Sequence, residues 1–104
     1  MPTKKATTTK DRPVVVCTAH RGVFFGYVAH DADLTTAVLR IERARMAVYW
    51  STDVGGVVGL AAKGPSKGCR IGPAAPAITI QSVTSVMEVT PEAAAAWEWA
   101  PWSK

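Results

Sequence analysis

Five basic residues, Arg40, Arg43, Arg45, Lys67 and Arg70, together with Tyr49 form the chain's most chemically pointed set. Arg43 and Arg45 stand two apart in a strand-like run, so their side chains are expected on one face, which Tyr49 continues. A guanidinium beside an aromatic ring suits the phosphate and base of a nucleotide. A solvated strand face, with Glu42 and Glu88 as ion partners, uses the same residues, and the pattern leaves both readings open.

Other chemistries find less support. Cys17-x-x-His20 has a local spacing acceptable for zinc, but His30 and Cys69 have no paired neighbours, so no ligand set is complete. No metal and no cofactor are expected. A nucleophile needs a positioned base, and besides carboxylates the chain offers only His20 and His30. Asp31 and Asp33 flank His30 but read as solvated loop formers. Neither G-x-S-x-G nor H-E-x-x-H occurs, so the expectation is a protein with no catalytic residues, not an enzyme. Gly59 and Gly64 have the separation of phosphate-loop glycines. Pro65 then stands where that motif needs lysine, and the segment ends a helix instead of opening one.

These residues must be positioned by a single small domain, since 104 residues leave little room for a second. The basic balance belongs mostly to the start of the chain. Lys4, Lys5, Lys10 and Arg12 against Asp11 supply +3 of the net +4, and the remainder is nearly neutral. Residues 1–12 are expected as a disordered basic tail and 13–104 as the domain. No apolar h-region follows the basic start, and no run has the length of a membrane span. A soluble, cytoplasmic protein with no membrane partner is therefore expected. Cys17 and Cys69 are too few for a disulfide framework and are expected as thiols.

Val14–Thr18 and Val23–Ala29 read as strands, with Gly26 marking a bulge or bend. A third strand starts near Thr36 with Leu39 and Ile41 on one face. The inward phase then moves to Ala44, Met46, Val48 and Trp50. That shift needs an extra residue, so a bulge or tight turn is predicted at Glu42-Arg43, with a separate hairpin as the alternative. A helix follows, N-capped by Ser51 and carrying the stripe Val54, Val57, Val58 and Ala61, with Gly64 as C′ residue and Pro65 as stop. Gly64–Pro76 reads as a loop with room for a short strand at Cys69-Arg70-Ile71. Ile78 and Ile80 mark the next strand, the phase breaks over Gln81–Ser85, and Val86–Val89 is the last strand. Thr90 and Pro91 open a short C-terminal helix.

Four tryptophans are many for this length. Trp97 and Trp99 cannot share one helix face, so at least one is expected at the surface. Trp97, Trp99 and Trp102 are read as interface residues, packing on the domain or on a partner.

Five pieces carry a resemblance: Gly22-Val23-Phe24-Phe25-Gly26, Ala44–Ser51, Leu60–Gly64, Cys69-Arg70 and Val86–Pro91. They resemble a family of small phage and prophage proteins known only as a domain of unknown function. Where members often carry an aromatic after the Arg pair, this chain reads Arg45-Met46-Ala47. The resemblance implies a phage-encoded accessory protein of the host cytoplasm and transfers no catalytic residue. Strand order and the Gln81–Ser85 bend look like Sm-like or SH3-like small barrels, an analogy of fold alone.

The expected fold is α+β, mainly β: a five-stranded, strongly bent small barrel, with one helix between strands three and four and a short C-terminal helix. The expected function is a non-enzymatic phage accessory protein, with an anti-defence role, that sequesters a nucleotide-like signalling molecule as a homo-oligomer. Arg43, Arg45 and Tyr49 would hold the ligand between subunits, with Lys67 and Arg70 beside them. One alternative is a nucleic-acid-binding barrel, with the basic tail adding salt-sensitive affinity. Another is an inhibitor of a host protein acting through the tryptophans.

Overall fold

Val14, Val15 and Val16 are all fully buried, although successive strand residues point to opposite faces. The central strand is therefore covered on both sides, and two apolar clusters result. The computed structural model describes residues 11–19 and 22–100. Residues 1–10 of the tail expected at 1–12 lie outside them, as do His20, Arg21 and Trp102, while Arg12 belongs to the first strand.

Six strands, all antiparallel, form one sheet: β1 (Arg12–Thr18), β2 (Val23–Val28), β3 (Leu39–Tyr49), β4 (Arg70–Ile71), β5 (Ala75–Ile80) and β6 (Val83–Glu88). Their order is β4-β3-β2-β1-β6, with β5 pairing β3 beside β4. The expected five strands become six because the short segment at 70–71 pairs with β3, Ala47 opposite Ile71 and Tyr49 opposite Arg70.

The sheet is open and the predicted barrel is not closed, because no ladder joins β5 to β6. It is nonetheless strongly curled. In a flat sheet four strand spacings would set β5 and β6 about 19 Å apart. Only Gln81 and Ser82 connect them, and three Cα steps reach at most about 11 Å. Ser82 takes a left-handed backbone (φ 57°), and the Val83 N–H donates to the Ala37 carbonyl at 2.9 Å. The predicted phase break is thus narrower than Gln81–Ser85.

Inside the curl lie Val14, Val16, Val28, Leu39, Ile41, Ala44 and Ile80. On the opposite face Val15, Phe25, Ala47 and Ile71 pack beneath two helices, α1 (Gly56–Ala62) and α2 (Pro91–Trp99). The bulge predicted at Glu42-Arg43 is present within one continuous strand. Arg43 has φ 51°, and the β2–β3 register slips opposite it, between Phe25 and Tyr27. Gly26 sits at that slip, where an added Cβ would lie 2.7 Å from Ile41 Cδ1; close packing, in addition to bending, demands glycine.

Beyond the bulge the expected inward phase holds at Ala44, and Trp50 packs against the core, but it fails at Met46 and Val48. Arg45 and Ala47 are buried, whereas Met46 and Val48 are exposed. The helices cover the face of Arg45 and Ala47, which strand alternation predicts in solvent.

The predicted middle helix is divided. A 3-10 turn at Thr52–Val54 ends at Gly55 (φ 84°), and α1 restarts from Gly56. The Ser51 hydroxyl does not cap it but bonds the Asp53 carboxylate and approaches the Ser66 hydroxyl. Val54, Leu60 and Ala61 are buried, while Val58 of the predicted stripe is exposed. Gly64 is the left-handed residue after α1, as its sequence position predicts, and its N–H donates to the Leu60 carbonyl. Thr90 caps α2, accepting from the Ala93 N–H at 3.1 Å and donating to the Ala62 carbonyl at 2.9 Å.

Candidate functional site

Three elements converge beside the β3 bulge. β2 supplies Phe25 and Tyr27, β3 supplies Arg43 and Arg45, and the end of α2 supplies Glu98. With Ala74 they line a groove of about 400 Å³. The bulge places the Arg43 guanidinium 4.1 Å from the centre of the Tyr27 ring. Its Nη2 lies 3.2 Å from Asp11 Oδ2, and the side chain is half-exposed. Tyr27 donates its hydroxyl to the Glu98 carboxylate. Burial first, then that carboxylate, push the Tyr27 hydroxyl well above the ordinary tyrosine range.

Arg45 is different in kind. Only 7% of it is exposed, and carbonyl oxygens hold most of its head. Nε donates to Gly72 at 2.8 Å, and Nη1 donates to Trp97 at 2.7 Å and to Ala100 at 2.8 Å. The Trp97 and Ala100 carbonyls belong to the end of α2, whose unpaired acceptors attract a cation, while Gly72 ties the same head to the segment after β4. Nη2 has no hydrogen-bond partner among the described residues, and no carboxylate there lies within ion-pair distance of Arg45. Desolvation lowers the Arg45 pKa from its ordinary value, yet a guanidinium stays a cation at neutral pH.

The predicted ligand residues are therefore split. Arg43 and Arg45 share the groove. Tyr49 and Arg70 are exposed partners across β3 and β4, outside it. Lys67 lines a second groove of about 420 Å³, with Pro65, Cys69, Ile71, Ala96 and Trp99.

Of the predicted interface residues, Trp97 is core, not surface. It is fully buried, its Nε1 donates to the Leu60 carbonyl at 3.0 Å, and its ring stacks on Phe25 with centroids 5.1 Å apart. Trp99 is 85% exposed. Cys17 and Cys69 are free thiols lining different grooves, and among the described residues no cluster of three metal-ligating side chains occurs. No helix of the described chain is long and apolar enough to cross a membrane.

Sequence reasoning missed Tyr27, Phe25 and Glu98. Phe25 and Tyr27 share one strand face, a signal that could have been found. Glu98 carries none, because only the docking of α2 brings it to Tyr27, 71 positions away.

No curated protein and no solved structure matches the chain. A family described as a domain of unknown function, DUF6948, matches residues 11–97, from the Asp11 that faces Arg43 to the Trp97 that anchors α2. The match spans every strand and most of α2, and the chain is a member of the DUF6948 family.

Proposed function

We propose that the protein is a non-enzymatic binding module whose Arg43–Arg45 groove takes a nucleotide-like anion. One observation carries the reading. Two of the three Arg45 head nitrogens, Nε and Nη1, are locked by carbonyl oxygens, while Nη2 keeps its donors without a partner among the described residues. A buried cation with fixed geometry and a free donor is a preorganised seat for an oxyanion. Arg43 adds a second cation, half-exposed and tied to Asp11 by one ion pair. Glu98 opposes a bare anion, but its carboxylate accepts donors, so a ligand with hydroxyl or amino groups beside its phosphate fits both ends. The volume, about 400 Å³, lies in the range of small-ligand sites. Tyr49, Lys67 and Arg70 leave this ligand set because they lie elsewhere.

A phage accessory role in anti-defence, sequestration of a signalling nucleotide in the host cytoplasm and homo-oligomeric assembly belong to the same proposal. Calorimetry against cyclic and ADP-ribose-derived nucleotides tests it. The expected result is saturable heat that Arg43→Gly and Tyr27→Phe both weaken. Absence of heat at high protein concentration contradicts it. Sedimentation with and without ligand tests the assembly.

A second reading, nucleic-acid binding, draws on Tyr49 opposite Arg70, an exposed aromatic beside a cation with no carboxylate partner among the described residues. It requires affinity that falls steeply with salt.

A further inference from the structure

We infer that the nucleotide-like ligand lies across two adjoining grooves, its phosphate at Arg43 and Arg45 and its nucleobase beyond Tyr27, read by Arg40 and Glu42. The inference rests on the nucleotide reading and adds a base subsite to it. A second groove, of about 390 Å³, is lined by Asp11, Tyr27, Arg40 and Glu42, with a small apolar wall that includes Ala29 and Ala32. Tyr27 lines both grooves. Arg43 of the first is paired at 3.2 Å to Asp11 of the second, so the two adjoin along this pair.

The bulged strand puts the charges in line. Leu39 and Ile41 are buried inside the curl, so Arg40 and Glu42 face the other way, and Glu42 stands opposite Tyr27 in the ladder. The bulge then sets Arg43 over the Tyr27 ring, and Arg45 follows opposite Phe25. From Arg45 to Glu42 is three residue steps of β3, at most about 10 Å, the order of a nucleotide from phosphate to base edge.

The partners already made leave a definite pair of groups for a ligand. Three carboxylates of the described residues, Asp11, Glu42 and Glu98, line the two grooves. Asp11 is held by Arg43, and Glu98 accepts the Tyr27 hydroxyl. Glu42 and Arg40 are exposed, and neither has an ion partner among the described residues. A carboxylate only accepts hydrogen bonds, and a guanidinium only donates them. Side by side they complement an edge that offers donors and acceptors together, as adenine, guanine and cytosine do. A second phosphate fits less well, because Arg40 attracts it while Glu42 and Asp11 repel it.

The test is calorimetry on the full chain with pyrophosphate, ribose 5-phosphate, ADP-ribose and the 5′-monophosphates of adenosine, guanosine and cytidine. At least one base-bearing ligand should bind about tenfold or more tightly than ribose 5-phosphate, as one hydrogen bond to a charged group supplies. Glu42→Gln should remove most of that advantage. The same variant should bind ribose 5-phosphate as tightly as the parent or more so, since a negative charge has gone. Arg40→Ala should also weaken the base-bearing ligand and spare ribose 5-phosphate. Both side chains are exposed, so the variants keep the fold, which circular dichroism checks. Base-bearing ligands no tighter than ribose 5-phosphate would overturn the base subsite and leave the phosphate seat standing. So would a Glu42→Gln protein that binds the nucleotide as tightly as the parent, or pyrophosphate binding more tightly than every nucleotide. Heat from none of these ligands would overturn the subsite and the nucleotide reading together.

Discussion

Arg45 Nη1 donates to the backbone carbonyl of Trp97 at 2.7 Å, joining the middle of β3 to the last turn of α2 across 52 positions. One side chain thereby caps a helix and lines a groove, with Nη2 left without a partner among the described residues. Stability and the proposed ligand recognition meet at this residue.

Arg45→Met should therefore cost about 3 kcal/mol, since it strands the carbonyls of Trp97, Ala100 and Gly72 that Arg45 satisfies. Arg45→Lys should recover less than half, because an ammonium cannot fork as a guanidinium does. Urea denaturation of the three proteins decides. Equal stability of Met and Arg at this position would remove the capping role.

Gly59 inverts an ordinary rule. Alanine favours a helix interior over glycine by about 1 kcal/mol. Here an added Cβ would lie 1.5 Å from the Val54 carbonyl oxygen. Gly59→Ala should lower stability by at least about 2 kcal/mol, as overpacking does. A raised melting temperature would show that the 3-10 turn and α1 are not packed as described.

Arg43 separates fold from binding. Its left-handed backbone suits glycine and resists β-branched residues. Arg43→Gly should stay within about 1 kcal/mol of the parent while Arg43→Val loses about 2 kcal/mol or more. Both should lose ligand affinity. The measurement is thermal unfolding beside calorimetry on the same samples.

Tyr27 predicts a pH effect with a definite sign. Its hydroxyl is pushed above the unfolded value of 10.0, so the folded state holds that proton more tightly. The contribution is complete below pH 10 and is lost as pH rises beyond it. Tyr27→Phe should be less stable than the parent at pH 8, and the gap should narrow above pH 10. Absorbance titration at 295 nm against the same variant checks the assignment.

Local signals were readable where local chemistry decides. The Glu42-Arg43 bulge follows from the phase of Leu39 and Ile41 against Ala44, and Gly64, Thr90 and Pro91 punctuate their helices as expected. What failed depends on contacts distant in sequence. Met46 and Val48 look inward by alternation, but both helices settle on the other face and bury Arg45 and Ala47. Arg45 reads as a surface charge until the carbonyls 52 and 55 positions away arrive. Trp97 reads as an interface residue until Phe25 stacks on it. The barrel stays open because β5 and β6, brought close by Gln81 and Ser82, do not pair.

The central claim is that the Arg43–Arg45 groove receives a phosphate-bearing ligand. The most direct test follows the Arg45 Nε–H resonance by NMR, held at the Gly72 carbonyl, while ADP-ribose and cyclic dinucleotides are titrated in. The account predicts a saturable shift at Arg45, accompanied by shifts of the Tyr27 and Ala74 amides, for at least one ligand. An unmoved Arg45 resonance at millimolar concentrations of every ligand would contradict it.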